Sequence, residues 1–186
     1  MRRNLGTKPY VYPQPVFIIG SYDENGVADA MNAAWGSVAG YQEIALYLGA
    51  NHKTVENILK RQAFTVSMAD DKHVVEADYV GLVSANDVPD KLANIEFHTQ
   101  KGEFVDAPLI DELPLTLECQ LLSYDKKTHL LLGKIMNVSA DEAILDDSGL
   151  IDLSKLGVIT FDPVHNAYIR LGEKVGNAFQ DGNQLK

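Results

Sequence analysis

The sequence predicts a mostly β fold, an antiparallel barrel with short helices inserted between its strands. About eight short segments are either apolar and β-branched or alternate between apolar and polar residues, which is typical of strands. Most successive segments are joined by short turns, whereas a parallel β-α-β series needs a crossover helix between most strand pairs. The 186 residues are enough for one domain with a substantial core.

The first half of the chain predicts four strands, over residues 16–21, 27–34, 43–48 and 63–68. Asn25-Gly26 predicts a tight hairpin turn between the first two, because both residues accept a positive φ. Val55, Ile58 and Leu59 have the spacing of a short amphipathic helix over 51–60, which either Asn51 or Thr54 would cap. A second helix is predicted over 72–83.

The second half is richer in strands. Two long apolar runs, 113–124 and 129–138, predict a hairpin with a polar tip, and two last strands are expected at 157–161 and 168–171. Short helical pieces are predicted at 141–145 and 173–179. Cys119 lies within a strand among leucines, which favours a packed thiol over a reactive one.

Composition excludes several classes of protein. The net charge is −10 with no concentrated basic patch, so neither nucleic acid nor an anionic membrane surface is an expected partner. No uncharged run is long enough to cross a bilayer. The single cysteine rules out a disulfide within the chain and fits a reducing, cytoplasmic location.

Several catalytic motifs are also missing. No two glycines have the G-x-G spacing of a dinucleotide fingerprint, and the chain has neither a phosphate-binding P-loop nor a G-x-S-x-G nucleophile elbow. The five histidines are widely separated, so no short-spaced metal pair exists and no metal site is predicted.

Three segments could carry chemistry. The small residues, amide and sole tryptophan of 30–36 suit either a pocket for a flat ring or a crowded strand crossing. Residues 51–54 begin a helix, where unpaired amides and Lys53 favour either an anion site or an ordinary helix start. The third segment, 81–84 with 89–91, is either part of a ligand site or a simple helix exit.

Together these segments resemble the flavin reductase-like family, particularly its flavoredoxin-type members. The similarity extends from about Pro13 to about Phe179, and its order and spacing are more specific than any one piece. The matching segments are 15–21, 32–36, 52–54, 57–58, 64–67, 78–81, 84, 90–91, 115–119 and 168–172.

The resemblance implies a single domain over 1–186, a Greek-key, FMN-binding split barrel with an N-terminal extension (1–12) and a C-terminal tail (172–186). It also implies a homodimer. The family's flavin-binding positions carry over to Met31, Asn32, Ala33, Ala34 and Trp35 for the ring and ribityl chain, Asn51, His52, Lys53 and Thr54 for the phosphate, Ser84 and Lys91 as further contacts, and Tyr168, of the same or of the partner subunit, as a cover for the ring.

Two functions follow from the resemblance. The first is an NAD(P)H-dependent flavin reductase that transfers a hydride from the nicotinamide to FMN. The alternative is a flavoredoxin-like carrier that holds FMN and exchanges electrons with a redox partner protein without using NAD(P)H. Neither requires a catalytic acid or base from the protein, because the flavin supplies the redox chemistry.

Overall fold

Twelve strands and three short α-helices make up the fold, in a computed structural model that describes residues 1–186. The strands are β1 (Gln14–Pro15), β2 (Phe17–Tyr22), β3 (Ala28–Ala33), β4 (Gly36–Gly40), β5 (Glu43–Tyr47), β6 (Ala63–Met68), β7 (Thr99–Lys101), β8 (Pro108–Ile110), β9 (Leu115–Asp125), β10 (Leu130–Ala140), β11 (Ile159–Asp162) and β12 (Ala167–Arg170). The helices are α1 (Lys53–Arg61), α2 (Val74–Leu82) and α3 (Leu153–Leu156), with 3-10 turns at Lys91–Asn94, Glu142–Ile144 and Asp181–Leu185.

Seven strands form one antiparallel sheet in the order β3-β2-β6-β9-β10-β5-β4. Met31 on the edge strand β3 shares a buried cluster with Phe64 on β6 and with Leu46, which lies beside the opposite edge. Residues near the two opposite edges of the sheet can share one core only if the sheet curls around that core. The mostly β, split-barrel fold class predicted from the sequence is therefore confirmed.

Strand β2 is buried on both faces. Phe17 and Ile19 point into the barrel core, whereas Ile18, with the preceding Val16, packs in a second cluster. This second core lies under α2 and includes Val80 together with residues near β8 and β11. The period of two in a strand explains why one continuous apolar run serves two cores.

Two smaller sheets complete the fold. β11 pairs with both β1 and β12, and β7 pairs with β8. A backbone bridge between Asp70 and Val158 joins the end of β6 to the three-stranded sheet. This contact places Tyr168 of β12 beside α2, where it reaches the candidate site described below.

Most predicted elements are present, and the strand predicted over 63–68 has the same bounds as β6. The 3-10 turn at Glu142–Ile144 lies where a helical piece was expected. The short strands β1, β4, β7 and β8 and helix α3 were not predicted. Four of the five residues of β4 are exposed, so the strand has no apolar alternation to reveal it.

Two local predictions were wrong. The hairpin predicted between β2 and β3 is present, but its turn type differs. Only Gly26 has a positive φ, and Asp23 O accepts from Gly26 N, so the loop is a type I turn followed by a left-handed glycine. Residues 173–179 contain no helix. Val175 and Phe179 are fully exposed, so no buried face stabilises a helix there.

The two ends of the chain lie on the surface. Residues 1–12 and 171–186 are all exposed. Tyr12 nevertheless anchors the N-terminal segment, since its hydroxyl donates a hydrogen bond to Asp162. None of the helices combines the length and apolar character that crossing a bilayer requires.

Candidate functional site

A groove of about 640 Å³ runs between β3, the start of α1 and the end of α2. Its volume lies within the roughly 300–1,000 Å³ usual for small-molecule sites. Eleven of the twelve residues selected from the sequence line it, namely Met31, Asn32, Ala33, Ala34, Trp35, Asn51, His52, Lys53, Thr54, Ser84 and Lys91. The groove thus brings together three segments that are far apart in the chain.

One wall of the groove is the end of β3 and the link that follows it. Met31 and Ala33 are buried in the barrel core, so their backbone is held rigidly. Trp35 is the only tryptophan and is 58% exposed at the rim. Its carbonyl accepts a hydrogen bond of 2.9 Å from Tyr47 N, which joins this wall to the end of β5.

The N-terminus of α1 forms the second wall. The amides of Lys53 and Thr54 have no protein acceptor, as expected for the first turn of a helix. The residue before the helix is His52, and no side chain caps the helix, so the predicted capping by Asn51 or Thr54 was wrong. Lys53 Nζ lies 3.2 Å from Glu56 Oε1 and stays partly exposed toward solvent.

A buried charged network underlies the groove. Asp29 Oδ2 accepts a hydrogen bond of 2.6 Å from Thr54 Oγ1, and Asp29 Oδ1 lies 3.3 Å from Lys91 Nζ. This second contact is an ion pair without hydrogen-bond geometry, so Oδ1 has no hydrogen-bond donor. Lys91 donates instead to the carbonyls of Val80 and Val83, at 3.2 and 2.7 Å.

Thr54 and Lys91 were expected to contact a ligand directly, and the network shows a different role for both side chains. The hydroxyl of Thr54 and the ammonium of Lys91 are already bound to protein groups, so neither is a free donor to a ligand. Lys91 is also 2% exposed. Both residues line the groove, but their polar atoms hold its walls in place.

The loop after α2 closes one end of the groove. Ser84 Oγ accepts a hydrogen bond from Asn86 N, at 3.1 Å. Asn86 Nδ2 in turn donates to Asn51 O, also at 3.1 Å. These bonds tie the end of α2 to the segment before α1, so the two walls keep a fixed separation.

Tyr168 lies outside the main groove. It borders a side chamber of about 280 Å³, and Asn32, Ala34, Gly81 and Leu82 line both cavities. Its hydroxyl donates to Asp78 Oδ1 at 2.8 Å. Burial and this bond raise the pKa of Tyr168 to about 12. Tyr168 is therefore next to the site, behind Asn32, and does not cover the groove of its own chain.

Sequence reasoning did not select Asp29, Tyr47 or Asp78 as site residues, although Asp78 lies in the matching segment 78–81. Asp29 did leave a signal, since a carboxylate inside a strand of small and apolar residues needs a buried partner. Gly81 lies in the segment 81–84 that the sequence indicated, and the structure shows its role. A Cβ at this position would lie 3.0 Å from Asn32 Cβ, so glycine lets α2 approach β3 closely.

The remaining candidate is Cys119. It is completely buried in the barrel core, as predicted, and burial raises the pKa of its thiol to about 12. A protonated, buried thiol is a poor nucleophile. Cys119 therefore supplies no reactive group to the groove.

Similarity to known proteins identifies the family. Residues 10–155 match the flavin reductase like domain. The chain belongs to the flavin reductase-like family. The resemblance found in the sequence is confirmed, and membership supports a flavin-related redox role.

Two solved structures are similar over almost the whole chain. Flavoredoxin of Desulfovibrio vulgaris (Miyazaki F) is 36% identical with a TM-score of 0.93, covering 98% of this chain and 100% of that one. Flavoredoxin from Methanosarcina acetivorans is 27% identical with a TM-score of 0.88, covering 100% and 98%. An FMN-binding domain of flavin reductase-like enzymes from Shewanella baltica, at 17% identity and a TM-score of 0.78, shares the fold over 88% of this chain and 89% of its own.

Proposed function

We propose that this flavin reductase-like protein binds FMN in the main groove and reduces it with NAD(P)H. The observation that carries the proposal is the pair of adjoining cavities. The main groove has the volume of a cofactor site, and the side chamber shares four lining residues with it. Two neighbouring cavities allow a second molecule to lie against the bound cofactor, as hydride transfer requires.

The residues of the groove fit FMN. The free amides of Lys53 and Thr54, with the positive end of the α1 dipole, suit a phosphate. Lys53 is the lysine of the groove whose charge reaches solvent, since Lys91 is buried against Asp29. The small side chains of Ala33 and Ala34 leave room for a flat ring beside the backbone.

Bound FMN would supply the redox chemistry by accepting a hydride and passing electrons on. The protein residues bind and orient it. Trp35 limits the open side of the groove, and Asn32 is held in place by a bond of 2.9 Å from its Nδ2 to Ala77 O. No side chain has to transfer a proton for this role.

Trp35 offers a direct test of cofactor binding, because the fluorescence of the sole tryptophan reports on one wall of the groove. We expect FMN to quench it with saturation at micromolar concentrations. Absence of quenching and of any change in flavin fluorescence would contradict FMN binding. In a Trp35→Phe variant no energy transfer from the tryptophan to the flavin is possible. A change in flavin fluorescence in this variant therefore reports binding alone.

Hydride transfer needs its own experiment. FMN-loaded protein is mixed with excess NADH or NADPH without oxygen, and the oxidised flavin band is followed. Loss of the band within seconds with either donor supports the reductase. If neither donor reduces the flavin over many minutes while dithionite does so at once, the reductase proposal fails.

A second candidate is an electron carrier that holds FMN and has no NAD(P)H activity. The high similarity to two flavoredoxins over nearly the entire chain favours it. In that case the partner is a redox protein that exchanges electrons with the bound FMN. The anaerobic experiment separates the two candidates, since only the reductase responds to a nicotinamide donor.

A further inference from the structure

The loop after α2 is tied across the end of the main groove to the segment before α1. Asn86 Nδ2 donates a hydrogen bond of 3.1 Å to Asn51 O. The loop that presents Asn86 is a compact turn, because the amide of Asp87 donates to Ser84 O at 3.0 Å. Ala85, inside this turn, is buried and anchors the loop. The Asn51–Asn86 hydrogen bond therefore joins two segments that are each held in place.

This hydrogen bond lies at the end of the groove that suits a phosphate. Asn51 precedes His52, the residue before α1, and the unpaired amides of Lys53 and Thr54 follow directly. Asn86 lines the groove together with all four of these residues. A phosphate held by the α1 amides would therefore lie beside the Asn51–Asn86 hydrogen bond.

The two sides of this end carry opposite charges. On the α1 side, Lys53 and the positive end of the helix dipole attract an anion. On the loop side, Asp87 is exposed, lines the groove, and its carboxylate has neither a hydrogen-bond donor nor an ion-pair partner. An anion that extends from α1 toward the loop would meet a like charge that nothing offsets.

FMN and FAD differ at the group that would lie here. The phosphate of FMN is a terminal monoester, with a charge of about −1.5 to −2 at pH 7. In FAD the same phosphate is joined to a second phosphate and an adenosine, so each phosphate carries a single negative charge. FAD therefore needs room beyond the α1 amides, on the side that the loop closes.

We propose that the Asn51–Asn86 hydrogen bond and the Asp87 carboxylate make the groove select FMN against FAD. A terminal phosphate fits between the α1 amides and the tied loop. A continuing diphosphate has to break the hydrogen bond and pass the Asp87 carboxylate. This inference rests on the proposed function, because it takes the main groove to be the flavin site. It adds the residues that determine which flavin binds.

Calorimetric titration of the wild-type protein with FMN and with FAD tests the selection. We expect FMN to bind at least about tenfold more tightly, because FAD binding costs a hydrogen bond and adds a like-charge contact. Equal affinity for the two flavins, or tighter binding of FAD, would overturn the inference.

Variants of the loop identify the selecting groups. Asn86→Ala removes the hydrogen bond and should raise the affinity for FAD until the two flavins differ by less than about threefold. Asp87→Asn keeps the shape of the side chain and should raise the affinity for FAD by a larger factor than the affinity for FMN. An unchanged FMN-to-FAD ratio in either variant would refute the role of that residue.

Asn94→Ala and Asp147→Asn are the matched controls and should keep the wild-type ratio. Asn94 donates to the Tyr79 hydroxyl outside the groove, and Asp147 is an exposed carboxylate elsewhere. A general loosening of the groove would weaken the binding of both flavins. A gain in affinity for FAD therefore reports the removal of a barrier and not a loss of structure.

The titrations separate two kinds of failure. If neither flavin binds to the wild-type protein, the proposed function fails and this inference fails with it. If FMN and FAD bind alike, the flavin site stands and only the selection fails. The wild-type ratio does not depend on any variant, so it decides the question even if Asn86→Ala fails to fold.

Discussion

The ammonium group of Lys91 lies 3.3 Å from the carboxylate of Asp29, and both side chains are only 3% exposed. Asp29 belongs to β3, and its other carboxylate oxygen accepts a hydrogen bond from Thr54 on α1. Lys91 also binds the carbonyls of Val80 and Val83 at the end of α2. A single buried pair therefore fixes the three elements that surround the groove.

Replacing Lys91 by methionine should strongly destabilise the protein. The substitution keeps most of the side-chain volume but leaves the Asp29 carboxylate buried without a counter-charge, which costs about 3–5 kcal/mol. Urea unfolding measures the change. We expect the double variant Asp29→Asn with Lys91→Met to recover part of the loss, because the uncompensated charge is then gone.

An exposed pair provides the comparison. Lys60 Nζ lies 2.9 Å from Glu56 Oε1, and both side chains are more than 40% exposed. Lys60→Met should change the free energy of unfolding far less than Lys91→Met, because solvent screens an exposed ion pair. A similar loss for Lys60→Met and Lys91→Met would show that the burial of the Asp29 pair has no special effect.

Lys53→Ala should weaken FMN binding more than riboflavin binding, because only FMN carries the phosphate. A hydrogen bond to a charged group contributes about 1.5–3 kcal/mol. The expected loss for FMN is therefore about one to two orders of magnitude in Kd. Fluorescence titration with the two flavins measures it.

Lys60→Ala is the matched control for this experiment. It removes the same charge from the same helix at the end away from the groove, and both lysines contact Glu56. It should leave both dissociation constants nearly unchanged. An equal loss for FMN and riboflavin in Lys53→Ala would contradict a phosphate contact.

The sequence revealed which segments form the site but not how their polar atoms are used. Asn32, His52 and Ser84 were selected by resemblance, and the structure brings them to one groove. Lys91 was selected as a ligand contact, yet its partner Asp29 lies far away in the chain and only the folded structure joins them. Distant pairing leaves no periodic signal in a sequence.

Dependence on distant partners also limits how much of the fold can be predicted from the sequence. β2 and β6 are apolar and central in the sheet, so their own residues determine them. β4 contains glycines at both ends and is mostly exposed, so it forms chiefly through its pairing with β5. Local pattern therefore predicts central strands better than edge strands.

The N-terminal segment should be released in acid. Hydrogen bonds to the Asp162 carboxylate from Tyr12, from His165 and from Val164 N lower its pKa from 3.8 to about 2. The lowered pKa stabilises the fold fully above the ordinary value of 3.8, and this contribution is lost as the pH falls toward 2.

Asp162→Asn should therefore be less stable than wild type at neutral pH, and its stability should vary less between pH 5 and 2. Urea unfolding across this range, with limited proteolysis of the N-terminal segment, provides the measurement. Asp147→Asn, an exposed control, should retain the wild-type slope. An Asp162→Asn profile that parallels the wild-type one would contradict this assignment.

We expect a homodimer of about 41 kDa, twice the chain mass of 20.5 kDa. Trp35, Val38 and Tyr47 are 58%, 76% and 51% exposed. Two apolar grooves, of about 590 and 360 Å³, adjoin them and share residues 13–15 and 36–37. Apolar area of this kind is commonly covered by a second subunit.

Light scattering at tens of micromolar protein tests the dimer. Val38→Asp should shift the mass toward the monomer, since it places a charge on the apolar face. Val175→Asp, a fully exposed position on the C-terminal tail, is the control. A monomer mass for the FMN-loaded wild type would reject the expectation.

Gly133→Ala should destabilise the barrel. A Cβ at this position would overlap Phe64 Cζ and lie 2.9 Å from Phe64 Cε1 in the core. Overpacking of this kind costs about 1–3 kcal/mol. Gly172→Ala, where no atom lies within 4 Å of the new Cβ, should have little effect on the unfolding midpoint.

The curl of the seven-stranded sheet brings the end of β5 to the groove beside β3. β3 and β4 are the two edges of that sheet, and Trp35 lies on the link between them. The groove lies beside this link, with β3 on one side and Tyr47 of β5 on the other. A molecule bound there would contact both β3 and the end of β5, so it should slow amide hydrogen exchange in both strands.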